Sequence, residues 1–307
     1  MRWKVARGAG EPQLAQFGGK HRGRRRLSHS GRIHDGALAT RQDGGRGQAL
    51  LARPFAAVAS LLFPTQCPVT GQAVATSGFF SPEGWARLSF VAPPGCSLCG
   101  APFDHAEKEE PLCAPCAAPH KYPRNLCGPK RLDAVQSALR YDEVSAQLAL
   151  SLKYADRQDL VPALGAVMKV ALDRLAPSQD AVLAPVPLHP SRLRQRRFNQ
   201  AALLASALSK RSGLAADPAL LLRRKATSQQ KGLGFEGRFR NLSGAFEARP
   251  AAQGRNVIIV DDVLTSGATL VGCARALRRA GARGITAVTL ARVFPDAKAP
   301  QVDLPEL

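Results

Sequence analysis

The stretch Asn256-Val-Ile-Ile-Val-Asp261-Asp262-Val-Leu-Thr265-Ser266-Gly267-Ala268-Thr269 constrains the fold more than any other part of this chain. Four successive β-branched residues with no polar alternation suit a strand buried on both faces, the habit of a central strand in a parallel sheet covered by helices. Two carboxylates cannot continue such a core, so they belong at its edge. Ala181 to Leu188, apolar and ended by prolines, and Ile285 to Val293 read as further strands. Helical spacing recurs over Glu143 to Tyr154, over Asp159 to Leu175 through Leu160, Leu164, Val167, Met168, Ala171 and Leu172, over Ala201 to Arg211 before Gly213, and over Thr269 to Ala280 before Gly281. From about Asp133 onward the alternation predicts an α/β domain, a parallel sheet flanked by helices.

Ligands of open α/β sheets bind beyond the carboxyl ends of the strands. There the chain offers Thr265, Ser266, Gly267, Ala268 and Thr269 at the start of a helix. Free backbone N–H groups, the positive end of the helix dipole, hydroxyl donors and a glycine permitting close approach make a cradle for a phosphate. Asp261 and Asp262 repel that anion and suit ribose hydroxyls, or a magnesium ion reached directly or through water.

Cysteine spacing predicts a metal site ahead of this domain. Cys96-Ser-Leu-Cys99 and Cys113-Ala-Pro-Cys116 are two C-x2-C pairs, close to the spacing of a four-thiolate zinc ribbon, and Gly100 eases the turn after the first pair. Four thiolates leave zinc(II) no open position, so its role would be structural. His105 and His120 read as surface residues. Cys67 stands alone, with Thr70 where a second thiolate would complete a knuckle; Cys67, Cys127 and Cys273 read as small apolar residues, Cys273 on the buried face of its helix.

The apolar runs of this 307-residue chain fall far short of the roughly 18–20 residues that cross a bilayer. Its net charge of +20 has two sources. Residues 1–50 hold 11 basic and 3 acidic groups without apolar periodicity and read as a disordered extension. Whether it is inert and untranslated, a nucleic-acid-binding tail or a targeting segment stays open. Residues 186–240 hold 12 basic and 2 acidic groups inside the folded part. Arg192, Arg194, Arg196 and Arg197 can meet phosphate oxygens with their forks, line a solvated helix end, or face nucleic acid.

The strand-DD-x-x-T-S-G-x-T segment resembles the phosphoribosyl pyrophosphate motif of type I phosphoribosyltransferases, whose fold is Rossmann-like. With a zinc ribbon preceding it, the chain resembles the ComF (competence protein F) family over roughly residues 50–293. Supporting segments are Leu152-Lys-Tyr154, Pro185-Val-Pro-Leu-His189, Arg194-Gln-Arg-Arg-Phe-Asn-Gln200, Thr227-Ser-Gln-Gln-Lys-Gly-Leu233, and Arg238-Phe-Arg-Asn241 with Gly244-Ala-Phe246. The resemblance implies an extension over 1–50, a zinc-ribbon domain over 51–130, a phosphoribosyltransferase domain over 131–296 and a tail over 297–307.

It further implies that residues 265–269 hold the 5′-phosphate, that Asp261 and Asp262 face the ribose diol as catalytic groups, and that the four arginines follow the strand bearing the pyrophosphate loop. Magnesium would accompany the phosphoribosyl pyrophosphate, and Thr227–Asn241 would be a closing lid. The family's ribbon is usually doubled; Thr70, Ser81 and Gly84 imply that the first half has lost its ligands, leaving one zinc per chain, with Trp85 and Phe90 packed in the vacated place. The resemblance implies a role in DNA uptake or nucleotide metabolism and a helicase-like competence protein as partner; the basic block over 186–240 could serve single-stranded DNA, and the cysteine usage fits a reducing, cytoplasmic location. Turnover by a phosphoribosyltransferase, a non-catalytic accessory role on DNA, and sensing of the sugar phosphate all remain open. No acceptor pocket or general base is legible, and His189 reads as structural.

Overall fold

Side-chain alternation along two buried strands decides the layering. The computed structural model describes residues 65–294 apart from 76–78, 104–111, 123–124, 155–156, 227–236, 238–240 and 243, all within the unit Arg53–Leu307. The 1–50 extension, the 297–307 tail, His105 and most of the expected lid lie outside the described residues. In the cysteine-bearing segment, α1 (Pro82–Ala86) and α2 (Ala114–Ala117) are single turns with proline in the first turn, where its missing N–H costs nothing.

Strands β1 (Ala134–Arg140), β2 (Val182–Pro185) and β3 (Ala215–Ala216) precede β4 (Leu221–Arg223) and β5 (Phe246–Ala248), with β6 (Asn256–Leu264) and β7 (Gly284–Arg292) last. The sheet order is β1-β7-β6-β2-β3, every pair parallel, and β4 pairs antiparallel with β5. Helices α3 (Glu143–Tyr154), α4 (Val161–Arg174), α5 (Pro190–Arg196), α6 (Gln200–Ser212) and α7 (Ala268–Arg279) connect them. Successive strand residues point to opposite faces. Ile258, Val260, Val288 and Leu290 pack under α3, α4 and α6; Val257, Ile259, Ile285 and Ala287 pack with α7, the β4–β5 pair and the cysteine segment. Both sheet faces are therefore covered, as the unbroken apolar strands require.

Several elements depart from the sequence expectations, the short strands β3, β4 and β5 among them. β1 carries Gln136 and Ser137 in its middle, which hides it from a hydrophobic pattern; the sheet satisfies Ser137 through a 2.7 Å hydroxyl hydrogen bond with Thr289 of β7. β2 ends at Pro185 and not Leu188: Val186 N still donates to Val260 O at 2.9 Å, but Pro187 after it has no N–H for a ladder. The basic stretch after it folds as α5, with Pro190 in the first turn, the His189 ring accepting from Ser191 N at 3.3 Å, and Arg197 closing it at φ +66°. At α6, Asn199 caps the start through Ala201 N at 3.0 Å and Gly213 closes the end at φ +76°.

The ribbon docks on the sheet. Val135 N at the edge of β1 donates to Leu98 O at 2.7 Å, Gln136 Nε2 donates to Ser97 O at 3.4 Å, and Arg292 at the end of β7 donates to Cys99 O. Gly100 sits at φ +66°, where an added Cβ would stand 2.7 Å from Gln136 Oε1.

Candidate functional site

The register places Pro185 of β2 opposite Val260, so β2 stops one residue before Asp261, while β7 continues to Arg292 opposite Leu264. The carboxylates of β6 thus stand at an opening in the carboxyl edge. Being adjacent in a strand, they diverge. Asp262 meets Lys153 of α3, Nζ to Oδ2 at 2.9 Å, with only 23% and 12% of the two side chains exposed. Asp261 lies on the other side, where its charge acts on Arg223 of β4 and Cys273 of α7. Asp261 Oδ1 accepts from Asp262 N at 2.9 Å, and Asp262 Oδ1 from Val263 N at 2.7 Å.

Burial, reinforced by the neighbouring Asp262 charge, pushes the Asp261 carboxyl well above the ordinary carboxylate range, and Lys153 offsets only part of this. Burial pulls Lys153 down, but the Asp262 and Asp261 charges outweigh it and leave the amine above its usual value. A carboxyl raised on folding favours the native state while protonated and loses that advantage as pH rises from the ordinary aspartate range through the raised value. Asp261→Asn is therefore expected to leave the melting temperature nearly unchanged at pH 4.5 and to raise it at pH 8.5, by about 0.5–2 kcal/mol of stability. Melting curves at the two pH values check this.

Beyond β6 the chain turns at Gly267, φ +74°, which heads α7 as its N-cap. Val271 N donates to Gly267 O at 2.9 Å and Ala268 N to Ser266 Oγ at 3.4 Å. Thr265 is exposed, Ser266 and Thr269 are half-buried, and Gly267 and Ala268 are buried. This 12-residue helix presents its first N–H groups beside the carboxylates, the donor set an anion requires.

Of the four arginines after β2, Arg192 shares its surroundings with Arg223, which also feels Asp261. Arg196 lies 5.2 Å from the centre of the Tyr154 ring, donates to its hydroxyl at 3.2 Å, and acts on Lys153. Arg194 and Arg197 are exposed at α5. Sequence reasoning missed Lys153 and Arg223 as site residues: each lies far from Asp261 along the chain, and although Leu152-Lys-Tyr154 is among the segments carrying the family resemblance, nothing local assigns either residue a role at the site. Gln200, 3% exposed in the first turn of α6, keeps an Nε2 without an acceptor among the described residues.

In the ribbon, the thiol sulfurs of Cys96, Cys99, Cys113 and Cys116 all lie within 4.8 Å of one another, which fits one tetrahedral ion bound at the usual zinc–sulfur length of about 2.3 Å. Hydrogen bonds from Cys113 and Cys116 hold Cys96 far below the thiol range and Cys99 below it, while Cys113 and Cys116 are pushed far above. The crowded sulfurs share protons that a divalent cation would displace. Cys127 is buried and donates to Leu98 O at 3.5 Å, and Cys273 is buried in α7.

The other half retains the outline of a ribbon without the thiolates. Thr70 and Ser81 hydroxyls share a 3.0 Å hydrogen bond, and Ser81 Oγ accepts from Gly84 N at 3.0 Å. A Cβ on Gly84 would stand 2.4 Å from Cys67 Sγ. Although burial raises it, hydrogen bonds with Ser81 and Thr70 bring the Cys67 thiol down to about 6. Trp85 and Phe90 pack on one another at 5.0 Å, and the Thr70–Ser81 hydroxyl pair links the two segments of this half.

Residues 58–117 match the double zinc ribbon domain, and residues 205–303 match the phosphoribosyl transferase domain. The DNA utilization protein YhgH of Salmonella typhi is 31% identical over 209 residues, which span 65% of this chain and 90% of that protein. The chain belongs to the ComF family. Competence protein ComFC of Bacillus subtilis is 28% identical over 200 residues, 64% of this chain and 77% of that one. Competence protein F of Haemophilus influenzae is 36% identical over 113 residues, 36% and 49% of the two chains. As a ComF-family chain it carries a phosphoribosyltransferase-type α/β domain behind a zinc ribbon, and its four-cysteine cluster lies in the second half of that ribbon. Among the described residues no helix is long and apolar enough to cross a membrane.

Proposed function

We propose that the carboxyl edge of the sheet binds phosphoribosyl pyrophosphate and acts as a phosphoribosyltransferase site. The observation that carries this reading is the meeting, at one opening, of a lysine-paired aspartate, a second aspartate and a glycine-headed helix start. Amides of Thr265, Ser266, Gly267, Ala268 and Thr269 would take the 5′-phosphate. Asp261 and Asp262 would accept from the ribose hydroxyls, and the 2.9 Å ion pair with Lys153 holds Asp262 in position for that task.

Arg192, Arg194, Arg196 and Arg197 would supply the pyrophosphate contacts, and Arg192, whose charge acts on Arg223, shares its surroundings with the residue that also feels Asp261. The orphaned Gln200 amide, next to an Asn199 that donates to Val186 O at 3.0 Å, is a further donor near the end of β2. Magnesium bound with the ligand would neutralise pyrophosphate oxygens. The anomeric C–O bond breaks, its electron pair leaves with pyrophosphate, and a nucleophile adds to the same carbon. The chain's part is positioning and charge stabilisation.

Isothermal titration of the whole chain with magnesium and phosphoribosyl pyrophosphate tests the reading. Saturable binding is expected, and its absence removes both transfer and sensing. Release of pyrophosphate with a panel of acceptor bases then separates enzyme from sensor.

A second reading rests on the names of the relatives and on the basic composition of residues 186–240: a cytoplasmic accessory that handles single-stranded DNA beside a helicase-like competence protein. Affinity for an oligonucleotide should then fall with salt, the logarithmic slope being about −0.7 per phosphate neutralised, and should survive removal of residues 1–50. Binding lost with that extension would mean attraction by the tail alone. For the ribbon we infer one structural zinc per chain, held by Cys96, Cys99, Cys113 and Cys116.

A further inference from the structure

We infer that the ribbon holds the anion-binding loop in shape, and that Leu126 is the positioning residue through which it acts. Leu126 stands directly under the loop: a Cβ on Gly267 would come within 2.0 Å of Leu126 Cδ2 and 3.5 Å of Leu264 Cδ1. Only a residue without a side chain fits there, and Gly267 already needs the left-handed conformation at φ +74°. The leucine, 8% exposed, fills the space that would let the turn relax.

Leu126 is in turn tied to the thiol cluster by its two neighbours. Asn125 is buried; its Nδ2 donates to Pro115 O at 2.8 Å and to Cys127 O, while its Oδ1 accepts from Cys116 Sγ at 3.6 Å and from Cys127 N at 3.4 Å. The Arg131 guanidinium donates to Asn125 O, and Cys127 Sγ donates to Leu98 O between the first pair of ligating cysteines. A second tie runs from Cys99 O to Arg292, whose strand pairs with β6 opposite Leu264. The cluster, the Asn125–Cys127 segment and the turn at Gly267 therefore form one contiguous packed path. A metal-bound Cys116 has no thiol proton to donate, so the tie that lasts with the metal in place is Asn125 Nδ2 to Pro115 O; loss of the metal would loosen the Cys113–Cys116 knuckle that carries Pro115, let Leu126 withdraw, and free the turn.

This goes beyond the ligand reading, because it concerns how the loop is held and not what it binds. The test follows amide hydrogen exchange of residues 265–269 in the full chain, with exchange in β7 as reference and ribose 5-phosphate as the binding probe. Leu126→Ala should keep one zinc per chain, speed exchange in the loop tenfold or more with β7 unchanged, and weaken ribose 5-phosphate about tenfold; Leu126→Met should restore both. Chelating the metal from the native chain should reproduce the faster loop exchange.

Gly267→Ala should lose the probe, and Leu126→Ala placed with it should recover part of the binding, a non-additive pair. Loop exchange at the native rate in Leu126→Ala, or acceleration only in step with β7, overturns the inference. If the loop responds as stated but the native chain binds neither ribose 5-phosphate nor phosphoribosyl pyrophosphate, the ligand reading falls and the coupling stands.

Discussion

Exchanging both carboxylates together, Asp261→Asn with Asp262→Asn, is expected to remove phosphoribosyl pyrophosphate binding from the calorimetric trace. A ribose hydroxyl bonded to an ionised acceptor contributes about 1.5–3 kcal/mol and one bonded to a neutral carboxyl about 0.5–1.5 kcal/mol, so losing one of each costs roughly thirtyfold to two-thousandfold in affinity. The single changes should differ in kind. Asp262→Asn strips Lys153 of its 2.9 Å partner and leaves a largely buried ammonium facing only Asp261, so it lowers stability as well as affinity. Asp261→Asn removes a carboxyl that burial and a like charge already disfavour, so affinity falls while the fold gains at alkaline pH. Binding by the double variant within threefold of native would mean that the ligand, if bound, sits elsewhere.

Loss of the thiol cluster should have the larger effect on stability. Zinc binding to small cysteine–histidine domains supplies about 10–16 kcal/mol, and a ribbon has little other core. Here Cys96, Cys99 and Cys116 belong to the same buried cluster as Val135 of β1 and Ile259 of β6, so the damage should reach the sheet. Cys116→Ser is expected to bring bound zinc close to zero per chain, read by atomic absorption, and to lower the melting temperature by more than about 10 °C, since for 150–250 residues each 1 kcal/mol is worth about 2–4 °C. Cys67→Ser should leave one zinc per chain and shift melting by less than about 4 °C, because its half of the ribbon is joined by the Thr70–Ser81 hydrogen bond. A native count near two zinc ions, or zinc lost from Cys67→Ser, would contradict this division.

The two halves of the chain differ in how readily they are read. The thiolate pairs and the strand-turn-helix around Gly267 are local patterns in which spacing and backbone conformation leave few alternatives. The degenerate half of the ribbon is legible only in part: Thr70 marks a lost ligand, but nothing local shows that its hydroxyl pairs with Ser81, eleven residues on. β1 is harder still, because Gln136 and Ser137 break its apolar pattern, and Ser137 is satisfied by a residue 152 positions away. At α5 the charge of Arg192 to Arg197 leaves a phosphate site, a solvated helix end and a nucleic-acid surface all open; the structure makes it a helix, begun by Pro190 and the His189 cap.

What the amino-acid order settles alone is whatever depends on near neighbours: the buried strand from Asn256, the glycine turn that follows it, the helix start, and the two knuckles that can close on one ion. Tertiary structure decided the rest. Lys153 reaches Asp262 only because α3 packs on the face to which Asp262 points, and Arg223 feels the charge of Asp261 only because β4 covers the opposite face. Leu126 meets Gly267 only because the ribbon docks against the edge of the sheet. Side-chain alternation sends adjacent residues to opposite faces, and which partner each one finds there is fixed by packing between segments that are distant in the chain.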